Sequence, residues 1–246
     1  MPDKVLYAEL TPEEFRRRLA AAPIAYLPLG TLEWHGEHLP LGSDGLQSQG
    51  FFKALAREAG GIVLPMLFVG PDKHQRVEGR DYYGMDIVGF EEGRPQQLDG
   101  SAYRVPDDLF AELLKAILKQ LRRAGFRIVV AHGHGPSTNL FRNRSPEWEE
   151  EFGLRLFICW RDDESDGLGI QTDHAAANET SLVMALHADL VDMDRLPSDP
   201  DVWPTAVGGK DPRRHASAGT GERAIEMQVE RMAALLRDAL QELEGE

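Results

Sequence analysis

Residues 28–45 read PLGTLEWHGEHLPLGSDG and continue the apolar run 24–29, IAYLPL. An apolar run of this length followed by turn residues predicts a buried strand. Residues 28–45 contain four glycines, two prolines, two histidines and three carboxylates. Because α/β proteins bind ligands where parallel strands end, this stretch predicts an α/β fold with its functional site directly after the strand.

Three side chains of this stretch are candidate metal ligands. Glu33 and His35 stand two positions apart, so in an extended backbone both project to the same side. Asp44 comes immediately before the amphipathic segment 46–59, where it is expected to cap a helix and lie beside its positive end. This ligand set is typical of zinc, manganese or iron rather than calcium. The alternative is a glycine- and proline-rich turn whose histidines only hydrogen-bond to the backbone.

Composition limits the class of protein. A chain of 246 residues with 42% hydrophobic residues predicts one domain spanning 1–246. The 27 Lys and Arg against 41 Asp and Glu give a net charge of -14, which argues against binding to nucleic acid or to anionic membranes. Cys159 is the single cysteine, so no internal disulfide is expected. With no leader or long apolar run recognisable, a cytoplasmic protein is expected.

Periodicity and turn residues predict the other elements. A capping box at 11–14 begins a helix that ends near residue 21, and 70–105 is a long loop with room for a short hairpin. Such a loop serves as a lid, a binding loop or a subunit contact. The remaining predictions are helices over 46–59, 106–123, 138–152, 182–190 and 219–243, strands over 62–67, 126–131 and 154–160, a polar loop over 162–169 and an irregular connection over 197–214.

Two further clusters carry histidines. The strand predicted over 126–131 leads into HGHGPS at 132–137, and DHAAANETS at 173–181 precedes the predicted helix 182–190. Five of the eight histidines fall in the three clusters, which favours a functional role over scattered histidines. Since parallel strands end at one edge of a sheet, the first two clusters are expected to meet there.

The segment LGTLEWHGEHLPLGSD at 29–44 resembles the signature G-S-x-E-Q-H-G-P-H-L-P-L-x-T-D of the creatininase (creatinine amidohydrolase) family. GHG at 133–135 resembles the core of the family's N-G-H-G-G-N, and 173–181 resembles its H-A-G-E-x-E-T-S. The similarity follows nearly the whole chain in the same order. It implies a single-domain, three-layer α/β sandwich with a mainly parallel sheet, and a homo-oligomer, commonly a hexamer.

For the site, the resemblance implies a hydrolase that uses one or two divalent ions (Zn, Mn or Fe) to activate water. That water would cleave a non-peptide carbon–nitrogen bond, in a cyclic amide or formamide, of a small molecule. By position, Glu33 and His134 would bind one ion, His35 would bind the other and Asp44 would bridge both. His174 matches a position assigned to acid/base catalysis or substrate contact.

Three residues are candidates to carry the proton to the leaving nitrogen. They are His174 and two nearby carboxylates, Glu37 and Asp173.

Two ligand carboxylates of the family have no counterpart at the matching positions. One position is Pro136 in this chain, and the other, the first glutamate of the H-A-G-E motif, is Ala177. Glu179 is the nearest replacement, unless it supports the start of the helix, and His132 is a further possible ligand. The number of metals, one or two, is therefore left open.

The substrate is also left open. The tryptophan and aspartate that precede the third motif in creatininase itself correspond to Ile170 and Gln171 here, which argues against creatinine. Trp34 replaces a glutamine of the first motif, and it either lines the substrate pocket or packs under the loop. The alternatives are a hydrolase of the same fold that opens a cyclic ketone or lactone, one that trims a peptide-derived precursor, and a non-catalytic relative with a degraded metal site.

Overall fold

The computed structural model describes residues 4–89, 94–161 and 167–245. Its strands are β1 (Ile24–Leu29), β2 (Ile62–Val63), β3 (His74–Val77), β4 (Arg80–Tyr83), β5 (Ile128–Gly133) and β6 (Arg155–Phe157). Its helices are α1 (Pro12–Ala21), α2 (Ser43–Glu58), α3 (Met85–Val88), α4 (Asp107–Ala124), α5 (Gly135–Phe152), α6 (Ala177–Leu186), α7 (Pro212–His215) and α8 (Ala218–Glu244). Short 3-10 turns lie at Tyr7–Glu9, Ala188–Leu190 and Met193–Arg195.

The central sheet has the strand order β2-β1-β5-β6, and all of its neighbouring strands are parallel. β1 and β5 pair without interruption from Ile24 with Ile128 to Leu29 with Gly133. The two strands therefore end side by side, so that the loop after β1 and the histidine cluster after β5 start from adjacent points. The predicted α/β fold with a mainly parallel sheet is confirmed.

Side chains of β1 alternate between two apolar cores, one on each face of the sheet. Ile24 and Tyr26 pack with residues of α2 and α8, whereas Ala25 and Leu27 pack with residues of α4 and α5. A strand buried on both faces needs no polar positions, which explains its continuous apolar run. Helices, sheet and helices form the three layers, and the edge of the sheet is left for the site.

Several predicted boundaries differ from the structure. The strand predicted over 62–67 is limited to β2, because Pro65 has no N–H to donate to the ladder. β5 lies two residues later than predicted, since its pairing with β1 continues to Gly133. α6 begins at Ala177, not at 182, because Asp173 accepts hydrogen bonds from two N–H groups of its first turn. β6 covers only Arg155–Phe157 of the predicted strand 154–160.

The long loop predicted over 70–105 contains the hairpin β3–β4 and the short helix α3. Glu78 and Gly79 at the hairpin tip have φ of 50° and 81°, the left-handed backbone that two-residue hairpin turns require. Residues 90–93 of this segment, and 162–166 of the predicted polar loop, lie outside the described residues. Among the described helices, none is both long and apolar enough to cross a bilayer.

The predicted capping box at the start of α1 is present. Thr11 Oγ1 accepts a hydrogen bond from the Glu14 N–H at 3.3 Å, and Glu14 Oε2 accepts one from the Thr11 N–H at 2.7 Å. We expect Thr11→Ala to lower the free energy of unfolding by about 1 kcal/mol, because one N–H loses its acceptor. Denaturant titration measures this change. Thr11→Ser keeps the hydroxyl and should stay close to the parent, and an equal loss in both variants would contradict the capping explanation.

Candidate metal centre

Five polar side chains meet at the edge of the sheet where β1 and β5 end. All are buried, with His35 at 0% exposure and Glu33, the least buried, at 7%. The five are Glu33, His35, Asp44, His134 and Glu179. The first two sequence clusters meet at this edge as predicted, and the third cluster contributes Glu179, which the sequence did not place there.

The loop after β1 is held by backbone hydrogen bonds. Gly30 N–H donates to Leu67 O at 2.8 Å, and Glu33 N–H donates to Leu41 O at 3.0 Å. This arrangement directs Glu33 and His35 into one group with His174, in which one ligand atom of each lies within 4.8 Å of the others. The predicted common direction of the two side chains is thus found in the structure.

Asp44 lies inside the first turn of α2 and does not cap it. The helix begins at Ser43 with Gly42 as its N-cap, so the prediction that Asp44 caps the helix is wrong. Because the helix begins at Ser43, one residue before Asp44, the Asp44 carboxylate is not used as a cap and faces the site. It still lies beside the positive helix end, and the Gln171 amide donates to its Oδ1 at 3.1 Å. Ser48 Oγ in turn donates to the Gln171 oxygen at 2.9 Å, which fixes that amide.

The five side chains form two groups that share Asp44. One consists of Glu33, Asp44 and His134, and the other of His35, Asp44 and Glu179. His35 Nε2 lies 3.4 Å from Asp44 Oδ1 and 3.6 Å from Glu179 Oε2. His134 Nε2 lies 3.6 Å from Glu33 Oε1. Two ligand atoms of one tetrahedral zinc ion are about 3.4 Å apart, so each of these pairs of atoms is spaced to bind the same ion.

The orientation of both imidazoles also fits a metal. His35 Nδ1 donates to Glu33 O at 3.2 Å, and His134 Nδ1 lies 3.0 Å from Ser137 Oγ, so both Nε2 atoms face the carboxylates. Hydrogen bonds at the outer nitrogen are how metal-binding histidines are usually oriented. Among the described residues, His35 Nε2 has no hydrogen-bond partner although it is buried. A buried nitrogen lone pair aimed at two carboxylates is unfavourable unless a cation lies between them.

The shifted pKa values of the cluster also indicate a site for positive charge. Burial raises the pKa of Glu33 well above its ordinary value and raises the pKa of Glu179 to about 8. Burial would lower the pKa of His35, but the carboxylates of Asp44 and Glu179 outweigh it and raise the pKa to about 10. Three buried carboxylates this close cannot all ionise unless positive charge compensates them. Protons supply that charge in the metal-free protein, and the donor set fits divalent cations that would supply it instead.

Glu179 supplies a carboxylate to the second group. Pro136 and Ala177 offer no side-chain donor, whereas Glu179, on the first turn of α6, points its carboxylate at His35. Its Oε2 also accepts a hydrogen bond from the Ala175 N–H at 2.7 Å, which holds the carboxylate in place. The structure therefore brings the predicted replacement into the second group.

His132, the other predicted replacement, is directed away from the cluster. Its Nε2 donates to Ile170 O at 3.2 Å, and its Nδ1 accepts a weak hydrogen bond from the Cys159 N–H at 3.4 Å. The ring also packs edge-on against Trp160. Because both nitrogens are engaged with the backbone, His132 supports the strand instead of offering a ligand atom.

His174 lies beside the cluster as a neutral imidazole. Its Nε2 is 2.8 Å from the carbonyl oxygen of Trp34, so Nε2 carries the proton and Nδ1 is an acceptor. The ring stacks on His35 with 4.4 Å between ring centres. Burial, together with the positive charge on His35, lowers the pKa of His174 to about 3.

Three other predicted residues lie outside the cluster. Glu37 is exposed on the loop surface and does not line the cavity above the site. Asp173 lines that cavity, but its two oxygens accept hydrogen bonds from the N–H groups of Asn178 and Glu179. The Trp34 indole donates to Asp99 O at 2.6 Å and packs against that segment instead of lining the cavity.

A cavity of about 270 Å³ covers the cluster. Sequence reasoning missed Asp72, which lines it and whose Oδ2 lies 3.9 Å from His134 Nε2. The available signal was its position in the turn after the predicted strand 62–67, at the same edge of the sheet. Sequence reasoning also noted Gln171 only as a departure from the family, whereas the structure shows that it holds Asp44.

The fold and the site define an α/β protein with two adjoining candidate metal sites that share one carboxylate at the edge of a parallel sheet. The model of the Creatininase family, described as creatinine amidohydrolase, matches residues 8–244. The chain belongs to the creatininase family.

Individual relatives agree with this assignment. Creatinine amidohydrolase of Pseudomonas putida is 26% identical over 271 residues, which cover 97% of this chain and 98% of that protein. Among solved structures, a creatininase variant of the Zn-Zn type is 25% identical with a TM-score of 0.73, and it covers 96% of this chain and 98% of that one. A structure named Creatininase Mn is also 25% identical, with a TM-score of 0.71 and the same coverage.

Proposed function

We propose that this protein is a metal-dependent hydrolase that cleaves a carbon–nitrogen bond, in a cyclic amide or formamide, of a small molecule. The observation that carries the proposal is the pair of buried three-residue groups that share Asp44. Membership of the creatininase family supports hydrolysis of this bond type. From the family resemblance, we expect the functional form to be a homo-oligomer, commonly a hexamer.

The ligands are assigned from the two groups. Glu33 and His134 would hold one ion, His35 and Glu179 would hold the other, and Asp44 belongs to both groups. Divalent ions bound there would supply hydroxide near neutral pH and would polarise the carbonyl group of the substrate. Zinc and manganese are the first candidates, because the names of two similar structures carry them.

Other residues of the cavity orient the substrate. His174 presents Nδ1 as an acceptor for a substrate N–H, because its Nε2 is already bonded to Trp34 O. This arrangement favours substrate contact over proton transfer as its role. Asp72 lies on the same cavity and can accept a second N–H. The burial of the cluster keeps bulk water away and strengthens every electrostatic contact made there.

The replacement at Glu179 supports an active enzyme over a non-catalytic relative. That alternative rests on the loss of carboxylates at Pro136 and Ala177. A scaffold without metal would gain nothing from a buried glutamate and a buried histidine nitrogen without a hydrogen-bond partner, since both are costly in a protein interior.

Metal content tests the assignment. After loading with zinc or manganese and removal of free metal, we expect about two equivalents per chain in the parent and about one in Glu179→Gln, which loses one ligand of one site. Elemental analysis against protein concentration measures both values. Glu37→Gln, an exposed carboxylate of the same loop, serves as the matched control and should keep the parent content. A parent that holds no stoichiometric metal contradicts the proposal.

Activity is tested with a panel of creatinine, simple lactams and formamides. Turnover by the loaded parent, and its loss after chelation, is the expected result. A cyclic ketone and a lactone are assayed beside the panel. If the metal-loaded parent hydrolyses only these two compounds, the proposed cleavage of a carbon–nitrogen bond is wrong.

A further inference from the structure

A second, larger cavity adjoins the one above the metal centre. It has a volume of about 630 Å³, against about 270 Å³ for the catalytic cavity. We call it the apolar groove and define it by the side chains Met85, Val88, Trp203, Pro204 and Val207. Met85, Val88 and His174 line both cavities, so the groove continues the catalytic cavity past His174.

The loop 203–208 forms one wall of the groove and is tied to its surroundings at two points. Gly208 and His174 exchange two backbone hydrogen bonds, of 2.8 and 2.9 Å. Ala206 N–H donates to Gly89 O at 3.0 Å, next to the end of α3. The backbone of His174 therefore positions this wall of the groove, and the His174 ring stacks on His35 of the candidate metal centre.

Trp203 is oriented as an apolar platform. Its indole N–H donates to Val207 O at 2.8 Å, so the polar end of the ring is satisfied within the loop. The side chain is nevertheless 40% exposed, and Val88 across the groove is 47% exposed. Apolar side chains that line a cavity next to a reaction site favour an apolar ligand group, because contact with it removes their surface from water.

The lining also argues against a charged ligand group. Among the described residues, no Asp, Glu, Lys or Arg lines the groove. The catalytic cavity, by contrast, is lined by several carboxylates and Lys73. The two connected cavities thus match a molecule with a polar reacting end and an apolar remainder, and an aromatic ring suits the exposed face of Trp203.

We propose that the apolar groove binds an aromatic or other apolar ring of the substrate, attached next to the carbonyl group whose carbon–nitrogen bond is cleaved. The substrate is then an amide, lactam or formamide larger than creatinine. This inference rests on the proposed function, since it takes the metal centre as the place where the polar end binds.

Two hydroxamates test the groove without knowledge of the substrate. Acetohydroxamate and phenylacetohydroxamate carry the same metal-binding head and differ by a phenyl ring. We expect calorimetry on the zinc-loaded parent to show about tenfold tighter binding of the phenyl compound, the scale of one well-packed aromatic contact. In Trp203→Ala the ratio of the two affinities should fall close to one. Trp203→Phe and Val202→Ala, a neighbour that does not line the groove, should keep the parent ratio.

The outcomes separate the two proposals. Binding of both compounds with equal affinity in the parent, or an unchanged ratio in Trp203→Ala, overturns the groove and leaves the metal centre intact. If neither compound binds to the loaded protein, the proposed function fails together with the groove. If Trp203→Ala has a lower solution mass than the parent and an unchanged affinity ratio, the groove is an interface between copies of the chain. That result would overturn its assignment to the substrate. Val88→Ala tests the same groove if the Trp203 variants do not fold.

Discussion

Asp44→Asn is expected to abolish hydrolysis, with a loss in kcat/KM of about a thousandfold or more, because several kcal/mol of metal-dependent stabilisation disappear. Asp44 is the one residue common to both ligand groups, so its replacement weakens both sites. Asparagine keeps the shape and the oxygen that accepts from Gln171 but carries no charge to hold two cations together. Metal content should fall below the level of Glu179→Gln, which damages only one site.

The measurements are steady-state kinetics on an active member of the amide panel, elemental analysis and circular dichroism. The fold should persist, since the hydrogen bond to Gln171 and the helix start do not need the charge. Glu37→Gln, exposed in the same loop, should stay within about twofold of the parent, as expected for a surface substitution away from the site. An Asp44→Asn variant that retains full metal content and more than a tenth of the activity would show that Asp44 does not bridge.

Gly133→Ala is expected to prevent folding, at a cost above about 4 kcal/mol. Gly133 is the last residue of β5 and has φ of 143°, a backbone conformation that L side chains rarely adopt. A Cβ at this position would lie 1.7 Å from Leu29 O and 2.6 Å from Ser48 Oγ. Leu29 O cannot withdraw easily, because it accepts the hydrogen bond from the His134 N–H at 2.9 Å.

Gly135→Ala is the matched control from the same motif. A Cβ there would be 3.8 Å from Trp160, an ordinary contact, and the residue begins α5. Its stability should stay within about 1 kcal/mol of the parent. Soluble yield and denaturant titration measure both variants. A Gly133→Ala protein as stable as the control would mean that the close approach of β1 and β5 at this point is not required.

Local patterns predicted the elements whose causes are local. An apolar stripe and a following glycine predict the helix over 106–123, and α4 ends at Ala124 with Gly125 as its C-cap, at φ of 103°. The capping box at Thr11 and the buried strand β1 follow from residues adjacent in sequence. The three motif clusters named all five members of the candidate metal centre, because their residue types are uncommon together outside functional sites.

Long-range contacts decided the features that sequence patterns did not predict. The ends of β5 depend on how far its partner β1 continues. Asp72 joins the site through a segment with no periodic pattern. His132 and His134 look equivalent in the sequence, yet His132 lies inside β5, whereas His134 follows Gly133, whose φ of 143° departs from strand geometry. Only His134 reaches the carboxylates.

The sequence by itself determined the α/β class, the buried strand before the first motif and the residue types of the metal centre, since periodicity and motif composition are properties of neighbouring residues. Only the tertiary structure decided that Glu179 completes the second group, that Gln171 fixes Asp44 and that an apolar groove continues the cavity above the cluster. The physical reason is that these contacts join segments far apart in the chain, such as Gln171 and Asp44, which are 127 positions apart, and no local pattern encodes such a contact.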